Sequence, residues 1–236
     1  MRKKIFTLVA TLFMTSSVVS AEDFFDTSVP DKVFTIGVRA GVNMSNISNN
    51  LETAIPSQIK WAKTSWKTGF SGGIVADLKI RNFIAIQPGF FLQLRHNECY
   101  ILDADRIKNM EAYTTSTYLQ IPLLVSIRHN LSEIVQWQVD LGPYFAFGVG
   151  GNVKTDIYEA GKTDLYNKED LFGDDGMIES FDWGFKMGTG LLIDDHYYIG
   201  AHYEAGCRNP LRPMDGSIKH IIGHHKVWNF TLGYNF

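Results

Sequence analysis

Residues 228–236 read Trp-Asn-Phe-Thr-Leu-Gly-Tyr-Asn-Phe, in which Trp228, Phe230, Leu232, Tyr234 and Phe236 alternate with small or polar residues without a break. A period of two places the large apolar side chains on one face of a β-strand and the small or polar ones on the other. No later residue follows Phe236 to cover that apolar face. It is therefore expected to meet a lipid bilayer, as the outer face of a transmembrane β-barrel does.

Working outward, the same alternation recurs upstream. Phe34, Ile36, Val38, Ala40 and Val42 share a face opposite Thr35, Gly37, Arg39, Gly41 and Asn43. Further strands are expected over 66–78, 84–94, 118–128, 136–148, 181–193 and 197–206, which with 228–236 makes eight. Short links at 79–82, 129–132 and Asp194–Asp195 alternate with irregular stretches at 44–65, 96–114, 150–179 and 208–225, which read as four long loops. In an up-and-down meander this rhythm sends every long loop to one end and every short turn to the other. That is the asymmetry of outer-membrane barrels, with outward loops and periplasmic turns. The fold expected is thus all-β, an eight-stranded antiparallel barrel over 33–236 with a periplasmic lead at 22–32 that looks unstructured.

The charges support this orientation. Arg39, Lys67, Asp77, Asp140, Asp182, Lys186, His202 and Glu204 all fall on the faces opposite the apolar ones. A soluble ligand-binding barrel would have its apolar residues inside. Here the polar face must line the lumen, because a charge on the lipid face costs about 2–4 kcal/mol at the bilayer midplane. An eight-stranded lumen is just wide enough for side chains to fill. The inward acids and bases are expected to neutralise one another and close it, since buried charge has to be paired. A narrow ion path or a proton or ligand site is the alternative use of such a set.

At the other end, Arg2, Lys3 and Lys4 precede an apolar run from Ile5 to Met14, and Val19-Ser20-Ala21 suits cleavage after Ala21. Residues 1–21 are therefore expected to be a secretory signal peptide. No later stretch is apolar for about 20 residues, the length a transmembrane helix needs. A formal net charge of −3 gives no electrostatic case for nucleic acid. Catalysis is not expected: His202 and Glu204 point inward without an evident serine. Nor is a cofactor or a metal expected. His220 and His224 have i, i+4 spacing, beside His225, but no HExxH glutamate accompanies them, and they read as polar loop residues. Cys99 and Cys207 both fall at the loop end of the barrel, so a disulfide is open to them if a loop folds across the mouth.

Three stretches, GVRAGVNMSNIS at 37–48, YLQIPLLVSIR at 118–128 and the terminal strand ending in Phe236, together resemble the PorT-like outer-membrane β-barrel family. The resemblance implies an eight-stranded barrel in the outer membrane of a diderm bacterium, surrounded by outer-membrane lipid. It also implies that Tyr234 and Phe236 match the signal read by the barrel assembly machinery. The namesake takes part in protein secretion, so secretion-complex subunits are implied partners. The function expected is non-enzymatic: envelope organisation or surface interaction through the outer loops. A secretion subunit is the first alternative, and a lipid-modifying enzyme or small channel the second.

Overall fold

The computed structural model describes residues 25–49, 61–102, 108–159, 162–168, 171–172, 176, 178–212 and 223–236. Among these the regular structure is entirely strand: β1 Phe34–Asn49, β2 Trp61–Arg81, β3 Ile84–Leu102, β4 Lys108–Asn130, β5 Val135–Glu159, β6 Lys162–Lys168, β7 Phe181–Ile193, β8 Tyr197–Gly206 and β9 Gly223–Asn235. The sheet runs β4-β3-β2-β1-β9-β8-β7-β5-β6, and a further β4–β5 pairing closes it. Eight strands therefore form an antiparallel ring. β6 stands outside it, paired to the outer part of β5 from Val153↔Lys168 to Glu159↔Lys162.

Closure is where the opening stretch does its work: β9 pairs with β8 on one side and β1 on the other, with Trp228 opposite Tyr203 and Met44. Its large side chains face outward, Phe230 47%, Leu232 64% and Phe236 68% exposed, whereas Asn229 and Asn235 are buried in the lumen. The same inversion holds around the ring. Phe70, Ile74, Leu141, Phe185 and Ile199 are exposed, while Arg39, Asp77, Asp140, Asp182, Lys186, His202 and Glu204 are buried.

The short turns are as tight as the sequence suggests. Between β7 and β8 the His196 amide donates to Ile193 O at 3.1 Å. The two central residues, Asp194 (φ 51°) and Asp195 (φ 56°), are left-handed. A turn with positive φ at both central positions matches strand twist, and aspartate tolerates that conformation better than most residues. The segment before β1 has no regular structure but is tied down: Phe25 packs on Phe83 with ring centroids 5.4 Å apart, and the Asn82 amide donates to Ser28 O at 3.3 Å.

The outer connections differ from expectation. Residues 96–114 are not an irregular loop: β3 and β4 stay paired from Leu94↔Thr117 to Ile101↔Met110. Much of 150–179 is likewise strand, since β5 runs to Glu159 and β6 follows. Alternation marks a strand only where one face meets an apolar phase. Beyond the membrane the outer face meets water as well, so the alternation of apolar and polar residues fades, and the Thr- and Tyr-rich run Tyr113–Thr117 forms a sheet through β propensity and backbone pairing instead.

Candidate functional site

The lumen contains the densest arrangement of ionisable groups, in two tiers. In the outer tier Glu204 on β8 is fully buried and accepts from four other strands. The bonds come from Arg95 Nη2 at 3.2 Å, Lys186 Nζ at 2.9 Å, Gln120 Nε2 at 3.0 Å, and Asn229 Nδ2 at 2.9 Å. Arg95 also donates through Nε to Gln93 Oε1 at 2.6 Å and through Nη1 to Asp182 Oδ2 at 3.4 Å. Its guanidinium lies 4.6 Å from the centre of the Tyr118 ring. Asp182 takes a further bond from the Tyr144 hydroxyl at 3.1 Å.

The inner tier is built around two aspartates. Asp140 on β5 accepts from Ser126 Oγ at 2.6 Å and Gln138 Nε2 at 2.9 Å, and it pairs with His202 Nε2 at 2.9 Å. Asp77 on β2 pairs with Arg128 Nη2 at 2.7 Å. Among the described residues Arg39 has no carboxylate within ion-pair distance: Nη2 donates to Asn235 Oδ1 at 2.7 Å, and the guanidinium sits 4.3 Å from the Tyr198 ring centre. Between the tiers Phe91 and Leu124 border a cavity of about 40 Å³, room for little more than a water molecule.

An apolar seal lies above the outer tier. Leu171 and Ile178, from the connection between β6 and β7, are buried against Ile47 and Val153. Phe172 stands edge-on to Tyr118 with centroids 5.3 Å apart. A Cβ at position 148 would come within 2.4 Å of the Phe172 ring, so Gly148 is what lets that ring lie across the mouth. A bridge between Ile178 and Leu211 ties this seal to the connection after β8. His225, also buried, meets the Tyr118 hydroxyl at 3.3 Å through Nε2.

The structure thus unites seven of the eight expected lumen residues. Lys67 is the correction. A register shift between Trp66 and Phe70 interrupts the alternation there, and Lys67 ends half-exposed at the outer end, paired with Glu98 at 3.0 Å. That pair lies above the apolar belt. Burial pushes the Glu98 carboxyl up, but the hydrogen bond and charge of Lys67, with a hydrogen bond from Tyr113, outweigh it and hold Glu98 down at about 2.

Arg95 and Arg128 take the place of Lys67 in the charge balance. Both follow the parity of inward neighbours, Arg95 after Gln87, Phe91 and Gln93 and Arg128 after Leu124 and Ser126, so continued alternation could have found them. His224 and His225 lie on β9 and not in a loop, because the strand begins at Gly223; His220 lies outside the described residues. Cys99 and Cys207 form no disulfide. Cys99 is on β3 and Cys207 follows β8, and those strands stand four places apart in either direction around the ring of eight, on opposite walls. Tyr234 and Phe236 face outward at the short-turn end, their rings 5.4 Å apart.

An inverted barrel with an apolar belt, a neutralised lumen and tight turns at one end defines the class: a transmembrane barrel of the outer membrane. The outer membrane protein beta-barrel domain matches residues 24–210, and the chain belongs to that family. No curated protein matches it. Among solved structures it is similar to Ail, the attachment invasion locus protein of Yersinia pestis, at 13% identity over 87% of this chain and 100% of that one, TM-score 0.40. OprG from Pseudomonas aeruginosa is similar at 11% identity over 90% and 99%, TM-score 0.47. Neisserial surface protein A is similar at 11% identity over 87% and 98%, TM-score 0.36.

Proposed function

We propose that this chain is a non-enzymatic surface protein of the outer membrane, delivered by a leader cut after Ala21, that acts through the sheet its strands raise above the bilayer. The observation that carries this reading is an open strand edge. β1 and β2 stay paired only as far as Ser45↔Lys67, whereas β2 continues outward to Trp61 against β3 alone. Among the described residues the far edge of Trp61–Trp66 has no partner strand. Such an edge offers a row of backbone donors and acceptors that an extended segment of another polypeptide can complete. The lumen supports the non-enzymatic part: the Ser126 hydroxyl is bonded to Asp140, the acid, and not to the imidazole of His202 that would have to activate it.

The PorT-like features at 37–48 and 118–128 support the alternative of a secretion-complex subunit. Photo-crosslinking residues placed at positions 62 and 64 and, separately, in the periplasmic turn at Ser132 distinguish the two in living cells. A discrete adduct from the β2 edge that is lost in Thr64→Pro is expected. Adducts from Ser132 alone, matching secretion components, would overturn the surface reading.

A further inference from the structure

Below the inner tier, on the short-turn side, the barrel opens into a vestibule of about 580 Å³, within the range of small-molecule sites. The N-terminal segment before β1 and all three short turns wall it. Six carboxylates line it, Asp26, Asp31, Asp77, Glu133, Asp194 and Asp195, against Lys32 and Lys79. Lys79 lies 3.9 Å from Asp195, and Arg128 is engaged with Asp77. Asp26, Asp31, Glu133 and Asp194 therefore face the single remaining lysine, Lys32, and the vestibule carries a net negative field.

A second observation comes from its walls. Asp77 is 3% exposed; its Oδ1 accepts from Arg128 and Gln87, but its Oδ2 has no hydrogen-bond partner in the structure. Gln136 Oε1, which lines the same vestibule from β5, is a second buried acceptor without a partner. Unsatisfied buried acceptors are costly, and two that share one cavity define a place for a donor. Arg128 Nε and Nη1 also lack partners, but Arg128 does not line the vestibule.

We propose that the vestibule is a binding site for an alkylammonium group, with Asp77 Oδ2 and Gln136 Oε1 accepting hydrogen bonds from its N–H groups and the rim carboxylates drawing it in. The carboxylates are spread around the wall, and among the described residues no three His, Cys, Asp or Glu side chains are grouped to hold a metal ion. A strand of methylenes ending in an ammonium suits that layout better than a compact ion. The group can arrive on a free amine or on the lysine side chain of a periplasmic peptide, which have the same chemistry.

The test uses the full chain in lipid nanodiscs, with titration of 1,5-diaminopentane, an acetylated Gly-Lys-Gly amide and uncharged 1,5-pentanediol. Binding of the diamine, the peptide or both, weakened by salt, is expected, and which of them binds more tightly names the source. Asp77→Asn should weaken binding about tenfold or more, the worth of a hydrogen bond to a charged group. Gln136→Met, which leaves the Asp77–Arg128 pair in place, should weaken it several-fold and covers the case in which Asp77→Asn fails to fold. Binding no tighter than that of pentanediol, or unchanged in Gln136→Met, would overturn the proposal.

Discussion

Arg95 Nη2 and Glu204 Oε2 lie 3.2 Å apart, both fully buried, although 109 residues separate them in the chain. Their strands, β3 and β8, face each other across the ring. The ion pair therefore spans the lumen and joins opposite walls. Removing one partner of such a pair leaves an uncompensated buried charge, which costs about 3–5 kcal/mol. Arg95→Ala should lower stability by that amount, and Arg39→Ala by less, since among the described residues no carboxylate pairs with Arg39. Urea unfolding from lipid vesicles, followed by tryptophan fluorescence, measures both.

Closure follows from two layers acting in series, the charged tiers and the apolar seal of Leu171, Phe172 and Ile178. The purified barrel should show no steady conductance in a planar bilayer. Phe172→Ala alone should stay closed because the outer tier still fills the lumen beneath it. Phe172→Ala combined with Arg95→Ala and Glu204→Ala should conduct. Steady current from the unaltered chain would favour the small-channel alternative.

The lipid face can be tested at Ile199, which is 51% exposed with Leu191 and Leu232 opposite it on the neighbouring strands. Ile199→Arg should cost about 2–4 kcal/mol, the depth-dependent penalty for a charge in the bilayer. Thr115→Arg, on the part of β4 above the apolar belt, should change stability by less than about 0.5 kcal/mol. The same unfolding measurement compares them.

The Lys67–Glu98 pair predicts a local pH dependence. Glu98 is held at about 2 against an ordinary 4.5, so the folded state favours the ionised form. That contribution is fully present above the ordinary value and is lost as pH falls from there through about 2. Hydrogen exchange in the paired outer ends of β3 and β4 should therefore gain protection between pH 3 and 6 relative to Glu98→Gln, after correction for intrinsic rates. Equal profiles would mean the pair contributes nothing to holding that hairpin.

Cysteine chemistry gives a direct check on the ring order. With Cys99 and Cys207 on opposite walls, non-reducing electrophoresis should show no intramolecular crosslink. Cys207, which is exposed, should be alkylated in the folded barrel without prior reduction.

What the sequence determined by itself was the part of the molecule in contact with lipid. Period-two alternation in β1, β5, β7, β8 and β9 placed Leu232 and Ile199 outside and Asp140 and Glu204 inside, because a bilayer penalises any strand that breaks the pattern. The paired Asp194–Asp195 turn was legible for a similar local reason. Arg95, one residue beyond the stretch 84–94, and Arg128, the last residue of 118–128, keep the inward parity and were legible on that ground. At Lys67 the pattern misled, because a register shift against β3 sets it beside Glu98 at the outer end and not among the lumen charges. Only the tertiary structure decided which inward charges meet. Arg95 finds Glu204 across the ring, not along a strand, and that choice depends on ring order and strand stagger, which nothing local in the sequence encodes. The seal of Leu171 and Phe172 over Gly148 is of the same kind: it exists because residues distant in sequence share one mouth, where both water and lipid are excluded and only packing remains to set the arrangement.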